Sequence, residues 1–142
     1  MAVTALLKLA GFTNELRYVD IAHQALAQMQ PMMSQYPLGF GQWLVALNYA
    51  LSRPFEIAIV GPPSDQSTRQ LLGVAMSGFR PHQVVAYGPA GLAAAAVPLL
   101  QDRNLVAGEG EQTHPAAYVC RDFVCQAPVT DSEALQAVLQ QT

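Results

Sequence analysis

Apolar residues recur at three- and four-residue steps through the first fifty positions, and the period then shortens to that of a strand. An opening run from Met1 to Ala10, carrying Leu6, Leu7 and Leu9, predicts a helix that Gly11 ends. Thr13 or Asn14 is placed to cap a second helix, with Glu15 in its first turn. Leu16, Val19, Ala22, Leu26, Met29 and Met33 then fall on one side, while Arg17, Asp20, Gln24 and Gln28 lie largely elsewhere. Pro31 predicts a kink or an early end to this helix. After Pro37 and Gly39 a third helix is expected from about Gly41 to Leu51, with Trp43, Leu44, Leu47 and Leu51 on its apolar side.

Past Ser52-Arg53-Pro54 the pattern changes, which divides the chain into helical hairpins over residues 1–53 and a small α/β unit over residues 54–142. Phe55 to Gly61 is a β-branched apolar run of the kind found in buried strands. Ser64 or Asp65 can cap a helix striped by Thr68, Leu71, Leu72, Ala75, Met76 and Phe79. Gln83 to Tyr87 predicts a second strand, parallel to the first and joined by a right-handed crossover. A short helix from about Leu92 to Gln101 and a polar loop with Gly108 and Gly110 lead to a hairpin. Thr130-Asp131-Ser132-Glu133 has capping-box spacing before a last helix whose inward side is Leu135, Val138 and Leu139. The expected fold class is α/β in its C-terminal unit and α+β overall.

The hairpin carries both cysteines of the chain. If Asp122 and Phe123 form a two-residue turn, Arg121 faces Val124 and Cys120 faces Cys125. A disulfide is then within reach after small adjustment, and the pair is a candidate redox dithiol. The pair lacks the C-x-x-C spacing that activates a sulfur, and buried cysteine is common, so unlinked structural thiols are the leading expectation. A metal site completed by His114 is the remaining alternative.

Composition narrows the partners. Of 142 residues 51% are hydrophobic and 12% charged, with a formal net charge of −3, so there is no basic stripe to hold nucleic acid. The most apolar stretch, Val84 to Leu100, is interrupted by Gly88, Pro89, Gly91 and Pro98, which argues against a membrane span. No signal-peptide pattern opens the chain, and two cysteines in so long a sequence suggest a reducing compartment, hence a cytoplasmic setting.

Other chemistry is sparse. The turn Gly61-Pro62-Pro63-Ser64-Asp65 follows a strand and precedes a helix, so Gly61, Ser64 and Asp65 are weak ligand-binding candidates. Two prolines remove N–H donors there, Asp65 puts a negative charge where phosphate would sit, and no nucleotide motif is present. His23, His82 and His114 are not spaced for one metal, and neither H-E-x-x-H nor G-x-S-x-G occurs. Carboxylate chemistry could draw on Glu15, Asp20, Glu56, Asp65, Glu109, Glu111 and Asp131, although caps and polar loops account for most of them. Trp43 with Phe40 and Tyr36 is a candidate stacking surface or, more simply, core. No cofactor or metal is called for.

The run from Ala117 to Asp131 around Cys120 and Cys125 resembles the closing segment of the spermatogenesis-associated thioredoxin-domain protein family. Leu6-Leu7-Lys8-Leu9-Ala10, Arg17-Tyr18 with Ala22 and Ala25, and Phe40-Gly41-Gln42 are similar to the helical hairpins before it. In that family a thioredoxin-like domain precedes a helical toroid similar to six-hairpin glycosidases and N-acylglucosamine 2-epimerases. The resemblance covers essentially the whole chain but only the last portion of a family member. It implies a noncatalytic C-terminal part of a larger sugar-processing-like or redox-linked protein, which completes the toroid and docks an α/β unit. The implied partners are the upstream domains, or a second copy through residues 1–53. A redox element at Cys120 and Cys125 and a nucleotide-binding enzyme at the Gly61 turn are the alternatives.

Overall fold

The computed structural model describes residues 2–91, 96–108 and 112–140. Three helices come first: α1 (Ala2–Thr13), α2 (Leu16–Gln35) and, after a 3-10 turn at Pro37–Phe40, α3 (Gly41–Leu51). Then follow β1 (Phe55–Val60), α4 (Gln66–Met76), β2 (Gln83–Gly88), a 3-10 turn at Pro98–Leu100, the short strands β3 (Val106–Ala107) and β4 (Thr113–His114), β5 (Ala116–Arg121), β6 (Val124–Cys125) and α5 (Ser132–Gln140). The fold is α+β, with a mixed four-stranded sheet in the order β2-β1-β5-β6.

β1 is the centre of that sheet, parallel to β2 and antiparallel to β5. All six of its residues are buried, as expected of a strand covered on both faces. Phe55, Ile57 and Ile59 point to the side of α4 and α5, where they cluster with Leu71, Ala75, Ala117, Val119, Leu135 and Leu139. Ala58 and Val60 point the other way, toward Val84, Ala86, Leu99, Leu100, Ala116 and Cys120, with Phe12 of α1 packed against them. Alternation along a strand thus feeds two cores, each large side chain contributing about 1.5–3 kcal/mol on burial. A third cluster joins the helices through Val3, Leu7, Ala22, Leu26, Met33, Ala46 and Tyr49. α1 belongs to both units, since a side chain at Gly11 would meet Val84 at 3.1 Å and Glu56 at 3.9 Å.

That contact corrects the expected role of Gly11. The helix does not end there but continues to Thr13, because the missing side chain lets α1 lie close on the sheet, and this outweighs a propensity cost of about 1 kcal/mol. The break comes at Asn14, which has φ 57° and returns its amide to the Ala10 carbonyl. Thr13 donates its hydroxyl to Leu9 O, and Glu15, not Thr13 or Asn14, takes the cap position of α2 without a side-chain cap bond. Pro31 does not shorten α2, which runs on to Gln35; the proline is exposed, and Met33 beyond it is buried in the helical cluster.

Further expectations are adjusted in the α/β unit. Asp65, rather than Ser64, caps α4 by accepting the Ser67 amide at 2.7 Å. The helix stops at Met76, so Met76 and Phe79 are exposed instead of inward, and Gly78 at φ 74° turns the chain. The expected helix over Leu92 to Gln101 is a single 3-10 turn from Pro98, its first residues lying outside the described set. The polar loop contains the β3–β4 pair. At the last helix the cap acceptor is Asp131, which receives the Ala134 amide at 2.8 Å.

Candidate functional site

Asp122 and Phe123 adopt φ values of 52° and 59°, the two-residue turn whose twist suits a tight hairpin. The register follows: Cys120 pairs with Cys125 and Arg121 with Val124. The two sulfurs are joined in a disulfide, which corrects the leading expectation of unlinked thiols. Direct opposition across so short a turn brings the side chains to one face, where Cys120 is buried in the cluster around Val84 and Leu100 and Cys125 packs against it. Neither sulfur is free as a thiolate or a metal ligand.

The Gly61 turn is occupied by its own structure. A side chain at Gly61 would meet Thr68 Oγ1 at 2.4 Å and Pro115 Cβ at 2.8 Å, so the glycine is there for close approach of the chain. Its carbonyl accepts the Tyr87 hydroxyl at 3.2 Å. Arg69 donates to the Pro63 and Ser64 carbonyls, and Asp65 fills the helix N-terminus. Gly61 does border a surface depression with Pro62, Pro63, Tyr87, Pro89, Ala90 and Leu105, but no cation lines it among the described residues. The arrangement offers nothing to a phosphate. Trp43 is partly buried against the helical cluster with Phe40 and Leu47, whereas Tyr36 is exposed, so the three do not form one stacking surface. Glu109 and Glu111 lie outside the described residues.

The chemistry gathers elsewhere. A cavity of about 200 Å³ lies between the helices and the sheet, walled by Leu7, Ala10, Gly11, Asn14, Glu15, Leu16, Val19, His23, Tyr49, Ala50, Ser52, Pro54, Glu56, Asp122 and Phe123. Glu56 sits on the face of β1 opposite Ile57 and is 5% exposed. Its Oε2 accepts the Phe123 amide at 2.7 Å, so the hairpin turn is latched to β1. A second tie at the same turn is the exposed Arg53–Asp122 ion pair at 2.9 Å, worth little by itself. Tyr49 is 5% exposed, and its hydroxyl is buried with no hydrogen-bond partner. The His82 ring meets it edge-on at 6.0 Å.

Burial raises the Glu56 carboxyl above the ordinary carboxylate range; the Phe123 amide opposes the shift and the Asp122 charge adds to it. Burial likewise pushes the Tyr49 phenol up to about 12, with the Glu56 charge as a second cause. The raised Glu56 value means that the folded chain holds this proton to higher pH than the unfolded chain does. Its contribution to stability is therefore complete below the unfolded carboxyl range and is lost as pH rises through the folded value. Glu56→Gln should flatten the decline in stability as pH rises above the ordinary carboxyl range and leave the chain at least as stable as the parent once the Glu56 carboxyl has ionised. Urea unfolding of both proteins over that rise in pH checks this; parallel curves would contradict it.

Of the residues weighed for chemistry in the sequence, Glu15, His23 and Glu56 reach this cavity, and neither cysteine, Ser64, Asp65 nor Trp43 lines it. One signal in the sequence marked Glu56: it is the charged residue in an otherwise apolar strand. Tyr49 carried none. Compared with protein-family models, curated proteins and solved structures, the chain matches none of them.

Proposed function

We propose that this chain is a noncatalytic docking unit, which closes its helical face against further helices of a larger protein and carries the α/β unit behind it. The observation behind this reading is an apolar groove of about 370 Å³ between α2 and α3, lined by Leu26, Ala27, Met33, Leu47, Ala50 and Leu51 together with His23 and Gln30. Leu51 is 78% exposed, and Leu16 and Leu38 on the same helical unit are 72% and 101% exposed. An exposed apolar groove between two helices marks an interaction site and fits the ridge of a third helix. The occupant in this reading is a helical hairpin from upstream in the same protein, as the resemblance to the thioredoxin-domain toroid family implies; a second copy of residues 1–53 takes its place when the chain is alone. Its relation to sugar processing is borrowed from that resemblance. Among the described residues no helix is long and apolar enough to cross a membrane. A cytoplasmic setting belongs to the same reading, and there the Cys120–Cys125 bond has to persist against a reducing thiol pool.

The chain alone should self-associate or bind an apolar fluorescent dye. The pair Ala27→Glu and Leu51→Glu, both at exposed groove positions, should abolish that behaviour with the circular dichroism spectrum unchanged. A chain that sediments as a strict monomer and binds no dye would sink the docking role.

A further inference from the structure

Two groups that water would ordinarily satisfy are buried against one cavity without the partners they need. Glu56 is 5% exposed and receives a single hydrogen bond, from the Phe123 amide. Among the described residues no Lys, Arg or His forms an ion pair with it. Tyr49, equally buried, has a hydroxyl with no partner at all, and it stands near enough to Glu56 to sense that charge. Both residues line the 200 Å³ cavity between the helices and the sheet. A buried carboxylate without a counter-charge and a buried hydroxyl without a partner are each costly, so both would gain from a ligand that donates hydrogen bonds and carries positive charge.

The rest of the wall narrows the class. Glu15 and Asp122 also line the cavity, each already held by an arginine, Arg17 and Arg53, and neither Lys nor Arg lines it among the described residues. Glu56 is thus the wall carboxylate without an ion-pair partner among the described residues, which disfavours an anion; Lys8 stands 5.9 Å from the centre of the Tyr49 ring but does not line the cavity. Among the described residues no three His, Cys, Asp or Glu side chains stand together in a way that could hold a metal ion. Leu7, Leu16, Val19 and Phe123 make the remaining wall apolar. The volume is below the roughly 300–1,000 Å³ of sites for drug-sized molecules, so the ligand has few heavy atoms.

We propose that this cavity binds a small organic ammonium ion with a short hydrocarbon chain, whose N–H groups donate to the Glu56 carboxylate and the Tyr49 hydroxyl oxygen and whose chain rests on Leu16, Val19 and Phe123. The site lies apart from the α2–α3 groove save for His23 and Ala50, which border both, and it does not depend on the docking reading.

Titration of the full chain with n-butylammonium chloride, followed by NMR shifts and calorimetry, tests it. Saturable binding is expected, with 1-butanol, which has the same length and no charge, weaker by roughly tenfold or more. Glu56→Gln should lose binding by roughly tenfold or more, and Tyr49→Phe by about fivefold, with both variants retaining the parent fold. The groove variant Leu51→Glu should bind the amine as the parent does, which separates this site from the docking face. The proposal is overturned if n-butylammonium does not saturate, if butanol binds equally well, or if folded Glu56→Gln binds like the parent. Should Glu56→Gln fail to fold, the comparison of butylammonium with butanol on the parent chain decides the matter. Saturable binding with shifts confined to residues outside the cavity would also refute it.

Discussion

Leu71→Ala is expected to destabilise the chain by about 2–5 kcal/mol, measured as a fall in the urea midpoint with little change in slope. Leu71 is fully buried on α4, inside the cluster formed with Phe55, Ile57, Ile59, Leu135 and Leu139. Deleting its branched end removes the transfer energy of the lost carbons and leaves a cavity that β1 cannot collapse into, because β1 is held by β2 on one side and β5 on the other. A loss well under about 1 kcal/mol would mean that α4 and α5 do not pack on the sheet as described.

Gly61→Ala carries the next largest effect and also distinguishes two uses of the same turn. An added Cβ would lie 2.4 Å from Thr68 Oγ1 and 2.8 Å from Pro115 Cβ, and neither a residue in the first turns of α4 nor a proline ring can move aside cheaply. We expect a loss of about 1–3 kcal/mol from this overpacking. Thr68→Ala in the same chain should recover part of it, the Pro115 contact keeping the rest, so a double-mutant cycle is expected to be non-additive. If Gly61 instead served a ligand loop, the substitution would leave the melting temperature in place and change binding. A Gly61→Ala chain as stable as the parent would therefore overturn the packing account.

The middle turns of the α2 and α4 stripes and the buried character of β1 were legible because each depends on residues close in sequence and on one fixed period, whereas α3 turns Ala46 and Tyr49 inward and leaves the expected Leu44 and Leu51 exposed, as Leu16 is at the start of α2. The pairing of Cys120 with Cys125 was legible for the same reason, since a two-residue turn determines the register on either side of it. The misreadings have a common origin. Gly11 was taken as a terminator on propensity, whereas its place is decided by Val84, a residue of another element. The helix capped after the Gly61 turn is as expected, but only the fold shows Thr68, Pro115 and Tyr87 closing around that glycine. β3 and β4 are two residues each, too short for any alternation to show.

The amino-acid order by itself determined the α+β class, the order of the main helices and strands and the register of the cysteine hairpin, all consequences of local periodicity and turn chemistry. Only the tertiary structure decided that the two sulfurs are bonded and that Glu56, Tyr49 and the Phe123 turn share a cavity. Glu56 and Phe123 are 67 positions apart, and nothing in a local pattern reports a meeting that exists because α1 lies on the sheet and the hairpin closes beneath it. Such contacts arise from how apolar faces are covered, a property of the whole chain rather than of any segment.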